Sequence, residues 1–148
     1  MKTGERGLAL IKEFEGCKLA AYQCPAGIWT IGIGSTHYGD GTPVTKNKTL
    51  PTEKAAIALL AATIGQFEKA VNAMGVELTQ NEFDALVCLC YNIGAGNFLK
   101  STLVKMLKAG DDKAEIAQQF LRWDKAGGKP LAGLTRRRNA EAELFLTP

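Results

Sequence analysis

The sequence contains a single histidine, His37, and its four cysteines include no CxxC pair. Because proteins usually hold zinc through closely spaced Cys and His residues, no metal site is expected. No apolar run approaches the roughly 20 residues that cross a bilayer. The N-terminal residues carry charges every few positions and lack the apolar core of a signal peptide. We therefore expect a chain that does not insert stably into a membrane and that stays in the cytoplasm where it is made.

An excess of charge of one sign is also missing. The chain has 18 Lys and Arg against 15 Asp and Glu, a formal net charge of +3. The two signs are interspersed except at Arg136, Arg137 and Arg138. Mild basicity suits an anionic cell envelope, but an excess this small is more typical of an ordinary soluble surface. A nucleic-acid partner is not expected.

What the sequence does have is a mainly helical pattern and enough apolar content for a core. With 148 residues, 46% of them hydrophobic, it can fold as one domain, 1–148, without a disulfide framework. Glycine and proline predict a turn at Gln23–Gly27, followed by a strand at Ile28–Ile33. Apolar periodicity and capping signals predict helices at 3–14, with Thr3 as N-cap, and at 52–73, 78–91, 101–109, 113–123 and 135–145. The expected class is α+β, mainly helical, with a small mixed lobe over about 14–50 joined to a helical lobe over about 78–148 packed with the N-terminal helix.

Three side chains around the first turn carry the functional signal. Glu15 lies where the first helix is predicted to end, Cys24 lies in the turn, and Thr30 lies in the strand, so that all three can face one cleft. Eight residues separate Glu15 from Cys24, and five separate Cys24 from Thr30. This spacing resembles that of the phage-type lysozymes, the endolysins that cut bacterial peptidoglycan. Most members of that family have aspartate in the middle position, and some have cysteine.

The resemblance extends over nearly the whole chain. The run from Thr30 to Gly34 looks like the first hairpin strand of the family, Leu78–Asp111 is similar to its central helix and Asn-Ile-Gly turn, and Arg122–Phe145 resembles its closing Trp, Gly-Gly and Arg-Arg pattern. The resemblance implies a lysozyme-like fold, with the active-site cleft between two lobes linked by the helix over about 52–73. It also implies hydrolysis of the β-1,4 bond between N-acetylmuramic acid and N-acetylglucosamine, which lyses the bacterial host.

Roles for the three residues follow from this chemistry. Cleaving a glycosidic bond requires an acid that protonates the leaving oxygen, and Glu15 is the candidate. The hydroxyl of Thr30 would hold the attacking water. For Cys24 three roles are open: a thiolate with a locally lowered pKa, a neutral thiol that places the water, or a covalent nucleophile. The first two are favoured, because the resemblance implies attack by water with inversion.

Further residues are implied only by the resemblance. Tyr91, Asn92 and Ser101 match positions at which the helical lobe of the family faces the glycan, and Arg137 matches an arginine that reaches towards the catalytic glutamate. These four are the predicted substrate-binding residues. Asn92 has an equally favoured alternative role as a cap of the core helix. His37 is interpreted as a turn or surface residue.

The cysteines raise one regulatory hypothesis. Cys88 and Cys90 lie two apart on a predicted helix, point away from each other and are expected in the core. A chain that is not exported keeps its thiols reduced. Cys17 and Cys24, however, both lie beside the proposed site. A disulfide between them would withdraw Cys24 from chemistry and act as a redox lock.

Three other functions compete with the muramidase. A lytic transglycosylase could use Glu15 alone on the same bond, Cys24 and His37 could form the dyad of a thiol peptidase or amidase, and a catalytically inactive domain could bind glycan. The muramidase is expected to need no cofactor and to act as a monomer on peptidoglycan glycan strands. If it is a phage protein, it is expected in the host cytoplasm before lysis. A holin would then give it access to the cell wall in the periplasm.

Overall fold

The computed structural model describes all 148 residues, as eight α-helices and two short hairpins. Their bounds are α1 Glu5–Glu15, β1 Lys18–Gln23, β2 Trp29–Gly32, α2 Glu53–Thr63, α3 Gly65–Asn72, α4 Gln80–Ile93, α5 Ala95–Lys100, α6 Thr102–Ala109, α7 Lys113–Phe120, β3 Lys125–Ala126, β4 Lys129–Pro130 and α8 Ala132–Leu146. The predicted mainly helical α+β class is confirmed. No helix is both long enough and apolar enough to cross a membrane. The chain divides into two compact units, 11–65 and 1–10 with 66–148, with the boundaries inside α1 and at the start of α3.

The unit 11–65 is built around the antiparallel pair β1 and β2. Helix α2 packs against β2, and the backbone of 48–50 bonds to the outer edge of β1. Burial of apolar surface is the main stabilising term for so small a unit. Its buried apolar residues come from α1, β2, α2 and the loops beside them: Ile11, Ile31, Ile33, Val44, Ala56, Leu60 and Ile64.

The larger unit is organised around α4. Every residue from Glu82 to Cys90 is buried, as its nearly all-apolar sequence predicts, and α8 packs along it. The predicted capping box is present, because Thr79 Oγ1 accepts from Glu82 N and the Glu82 carboxylate accepts from Thr79 N. Helix α5 also packs against α4. Contacts between consecutive helices then join α5 to α6, α6 to α7 and α7 to α8.

A buried carboxylate on α4 anchors the N-terminus of α1. Asp84, 1% exposed, accepts hydrogen bonds from Gly4 N at 2.9 Å and Gly7 N at 3.1 Å. The first N–H groups of a helix have no partner inside the helix and carry positive partial charge, so a carboxylate satisfies both needs. The prediction that Thr3 caps this helix is wrong: Thr3 Oγ1 donates to Glu68 at 2.7 Å. The first carbonyl that accepts a hydrogen bond from a residue of the helix is that of Gly4, which bonds to Leu8 N.

Other boundaries differ from the prediction. The helix predicted over 52–73 is two helices, because α2 ends at Thr63 and α3 begins at Gly65. Helix α8 begins at Ala132, three residues before the predicted Thr135, and continues across Gly133 although glycine has a low helix propensity. The strand predicted as the first of a hairpin is the second: it pairs with β1, which was not predicted. The short β3 and β4 hairpin was also not predicted.

Replacing Asp84 with Asn is expected to lower the free energy of unfolding by about 2 kcal/mol, because charge-assisted hydrogen bonds to backbone N–H groups are lost. Urea unfolding followed by circular dichroism measures the change. Asp112→Ala is the matched control, because Asp112 precedes α7 without making a side-chain cap hydrogen bond. Equal stability of Asp84→Asn and wild type would contradict the anchoring role.

Candidate active site

Glu15 is the last residue of α1. The helix stops there because Gly16 adopts φ +71° while its N–H still bonds to Lys12 O at 2.8 Å. One turn earlier, Lys12 forms an ion pair with Glu53 at the start of α2. The end of α1 that carries Glu15 is thus tied to α2, and the Glu15 side chain is half-buried.

Gly34 makes room for the Glu15 carboxyl group. A Cβ atom built on Gly34 would lie only 2.6 Å from Glu15 Oε2, closer than real contacts allow. Gly34 also adopts φ +73°, which strains any other residue. It belongs to a tight turn in which Ile31 and Ser35 exchange both backbone hydrogen bonds. The glycine-rich run after Thr30 therefore brings backbone directly against the candidate acid.

Cys24 begins the turn between β1 and β2. Gly27 N donates to Cys24 O at 2.8 Å, and Cys24 N donates to Ile28 O at 2.9 Å. Gly27 adopts φ +79°, as a tight loop closing a hairpin requires. The predicted turn at Gln23–Gly27 is confirmed in position, and its geometry fixes where the thiol projects.

The same turn favours the ionised form of the Cys24 thiol. The backbone N–H groups of Ile28 and then of Ala26 hold its pKa below the ordinary value, the Thr30 hydroxyl adds to this effect, and a little burial opposes it. Hydrogen bonds to the charged form are what lower the pKa of an acid. Of the three roles open to Cys24, this environment fits the thiolate with a lowered pKa.

Thr30 lies on β2 with 4% of its surface exposed. Its hydroxyl donates to Ile28 O at 3.0 Å, and it also lies within hydrogen-bonding reach of Cys24. Since a hydroxyl has one proton and two lone pairs, Thr30 can donate to the carbonyl or to a thiolate while accepting from a water molecule. The structure therefore brings Cys24 and Thr30 together, as the sequence predicts.

His37 does not complete a dyad with Cys24. Its Nδ1 lies 3.0 Å from Thr36 Oγ1, its side chain is exposed, and no hydrogen bond joins it to the thiol. The expectation of a turn or surface histidine fits this placement. A thiol peptidase or amidase would therefore have no histidine beside Cys24 to act as its base.

All four cysteines are free. Cys88 and Cys90 are buried in α4, as predicted, and burial raises the pKa of Cys90 to about 12 and that of Cys88 well above its ordinary value. Neither is a reactive thiol. The redox lock between Cys17 and Cys24 stays a hypothesis. No group of three His, Cys, Asp or Glu residues is arranged to hold a metal ion.

A second group of predicted residues lies in the larger unit. Asn92 is exposed near the end of α4, and its Oδ1 accepts from Arg138 Nη2 at 2.9 Å. Arg138 is fully buried and also donates to Glu141 at 3.1 Å. Asn92 is not the cap of α4, because that position belongs to Gly94. Sequence reasoning missed Arg138, although the spacing of Arg138 and Glu141 on one helix indicates an ion pair.

The other three predicted substrate-binding residues are placed differently. Tyr91 is half-buried and meets Phe67 edge to face, with 5.1 Å between ring centroids. Ser101 caps α6: its hydroxyl accepts from Val104 N and donates to Phe98 O, and glycan binding by Ser101 stays a prediction. Arg137 is 3% exposed and donates to Glu141 and to Cys88 O, and its predicted role at the site stays a prediction.

The chain matches a known protein family over most of its length. The family model of phage lysozyme matches residues 12–141. The chain is 44% identical to the endolysin of Acyrthosiphon pisum secondary endosymbiont phage 1, over 98% of both chains. It is 40% identical to the endolysin of Bacillus phage B103 but spans 55% of that protein. It is 31% identical to a SAR-endolysin of Haemophilus phage HP1, spanning 81% of it.

Solved structures agree. The endolysin from Escherichia coli O157:H7 phage FAHEc1 superposes with a TM-score of 0.87 at 41% identity, covering 99% of this chain and 94% of that one. The muramidase domain of SpmX from Asticaccaulis excentricus also gives 0.87, at 38% identity and 99% coverage of both chains. The predicted lysozyme-like fold is confirmed.

The Cys24 thiol is expected to react with iodoacetamide at lower pH than an ordinary cysteine, because its turn stabilises the thiolate. A Cys17→Ser background leaves it the one thiol that is not buried. Mass spectrometry of the alkylated chain, timed across pH 5 to 10, gives the pKa. Thr30→Val should raise that pKa, whereas Thr49→Val, at an exposed threonine elsewhere in the unit 11–65, should not. A Cys24 pKa at or above that of free cysteine would contradict the geometry.

Proposed function

The chain belongs to the phage lysozyme family, and from this premise we propose that Glu15, Cys24 and Thr30 carry out its hydrolysis of peptidoglycan. It is an endolysin of the lysozyme class, a glycosidase that cleaves the β-1,4 bond between N-acetylmuramic acid and N-acetylglucosamine. The observation that carries the residue assignment is the turn at Cys24, whose N–H groups favour a thiolate within reach of Thr30.

In the proposed reaction Glu15 donates its proton to the glycosidic oxygen as the bond from that oxygen to C1 breaks. A water molecule attacks C1 from the other face. One proton of that water passes to the Cys24 thiolate. The other O–H group of the water donates a hydrogen bond to the hydroxyl oxygen of Thr30. The products are two free sugar ends, a Glu15 carboxylate and a Cys24 thiol, and solvent returns the proton from sulfur to Glu15.

The thiolate is favoured over the two other roles for Cys24. A neutral thiol is a weak acceptor and would gain nothing from two N–H groups directed at it. A covalent nucleophile would form a sulfur–sugar bond and retain configuration, whereas the family to which the chain belongs implies inversion. The lowered pKa of the Cys24 thiol allows sulfur to act where most relatives use a carboxylate.

Asn92 is the best-supported contact to the glycan among the four predicted. Its Oδ1 is occupied by Arg138, so its Nδ2 is the group directed to other acceptors. The carbonyl oxygen of an acetamido group is such an acceptor. Because Arg138 is fully buried and also bonded to Glu141, the amide is held in one orientation.

Digestion of purified peptidoglycan under reducing conditions should release ends with reducing N-acetylmuramic acid, identified by mass spectrometry. Glu15→Gln is expected to lower the rate at least about a hundredfold because the acid is lost. Cys24→Ser should lose activity as well, because a serine hydroxyl stays protonated. Anhydro sugar ends that survive Cys24→Ser would establish the lytic transglycosylase instead.

The matched control is Cys24→Asp, which restores a base of the kind found in most relatives. In the wild type the rate should fall as pH drops through the lowered pKa of Cys24, because the thiolate becomes a neutral thiol. An ordinary aspartate titrates near 3.9, so in Cys24→Asp this decline should move to lower pH. A decline at the same pH in both enzymes would exclude Cys24 as the base.

The route to the wall is a separate proposal. Relatives include proteins named endolysin and proteins named SAR-endolysin, so family membership leaves the route open. We propose that the chain acts as a monomer, collects in the host cytoplasm and needs a holin. Expressed alone in a bacterium, it should leave the culture turbid until a holin is co-expressed or chloroform is added. Prompt lysis without either would contradict the proposal, and Glu15→Gln controls for toxicity unrelated to catalysis.

A further inference from the structure

Tyr22 lies on the face of the hairpin that carries the candidate base and the water-holding threonine. In the pairing of β1 with β2, Tyr22 stands directly opposite Thr30. Residues opposite each other in an antiparallel pair project from the same face of the sheet. Cys24, at the start of the turn that follows β1, lies within hydrogen-bonding reach of Thr30. The pairing of the two strands thus places the phenol of Tyr22 beside Thr30 and Cys24.

The phenol is also within electrostatic reach of the candidate acid. Burial raises the pKa of Tyr22, and the negative charges of Glu15 and then Cys24 raise it further. Two consequences follow. Tyr22 lies near both members of the acid and base pair, and its hydroxyl stays a neutral O–H donor in the pH range where the pair works.

The Tyr22 ring is held, but its hydroxyl is not used. Lys18 Nζ stacks over the ring, 4.2 Å from its centroid, a cation–π contact between two residues of the same strand. No hydrogen bond within the chain occupies the hydroxyl, so its O–H is available to donate to an oxygen of a bound substrate.

We propose that Tyr22 is a substrate-contacting residue, whose hydroxyl donates a hydrogen bond to an oxygen of the N-acetylated sugar that lies against Glu15, Cys24 and Thr30. The proposal rests on the proposed function of those three residues. Lys18 is a positioning residue in this arrangement, because its contact with the ring limits the directions that the hydroxyl can take.

Tyr22→Phe tests the proposal, because it keeps the ring and the Lys18 contact and removes only the hydroxyl. The rate of muropeptide release at limiting peptidoglycan is expected to fall about three- to tenfold, the effect of one lost neutral hydrogen bond. The melting temperature should not change. Tyr38→Phe makes the same deletion at another half-buried tyrosine of the unit 11–65 and should leave the rate unchanged. Lys18→Met should give a smaller loss than Tyr22→Phe.

Three results would overturn the proposal. These are a Tyr22→Phe rate equal to wild type, a loss of rate matched by a loss of melting temperature, or a shift of the acid-side decline of the pH profile. The last would mean that Tyr22 acts through Cys24 or Glu15 instead of on the sugar. The products of the wild type are identified first: if they carry no reducing N-acetylmuramic ends, the proposed function fails independently of the variant.

Discussion

The backbone hydrogen bond from Cys24 N to Ile28 O is the constraint on which the active-site geometry depends. It closes the loop between β1 and β2 and so sets their register, which places Tyr22 opposite Thr30. It also holds the loop N–H groups around the Cys24 sulfur. A shift of one residue would turn every side chain of a strand to the other face. One turn therefore determines both the protonation of the thiol and the identity of its neighbours.

The sequence predicted local structure better than the pairing of segments that are distant in the chain. The end of α1 at Glu15, the turn at Cys24 and the burial of α4 follow from glycine, proline and apolar patterns that act over a few residues. Strand β1 was missed because it is mostly exposed and lacks the alternation of a half-buried strand. Its pairing is with residues further along the chain, and local propensity carries no information about that.

Interactions between distant residues mark the limit of such reasoning. Thr3 has the composition of a helix cap, but the cap of α1 is Asp84, about 80 residues away in sequence. The orientation of Asn92 likewise comes from Arg138 on α8. In both cases a buried charged group forms hydrogen bonds with backbone or amide atoms of a residue far away in the sequence. Local sequence patterns do not reveal such pairs. The resemblance to a family selected Asn92, and the packing of α4 with α8 explains how it is held.

The sulfur at position 24 also gives the molecule an optical property that a carboxylate would not. A thiolate absorbs ultraviolet light at wavelengths where the neutral thiol does not. Cys88 and Cys90 stay protonated because burial raises their pKa, so they do not contribute at neutral pH. The difference spectrum between wild type and Cys24→Ser thus reports the protonation of the Cys24 thiol alone. The charge on this sulfur can be followed directly, without a label.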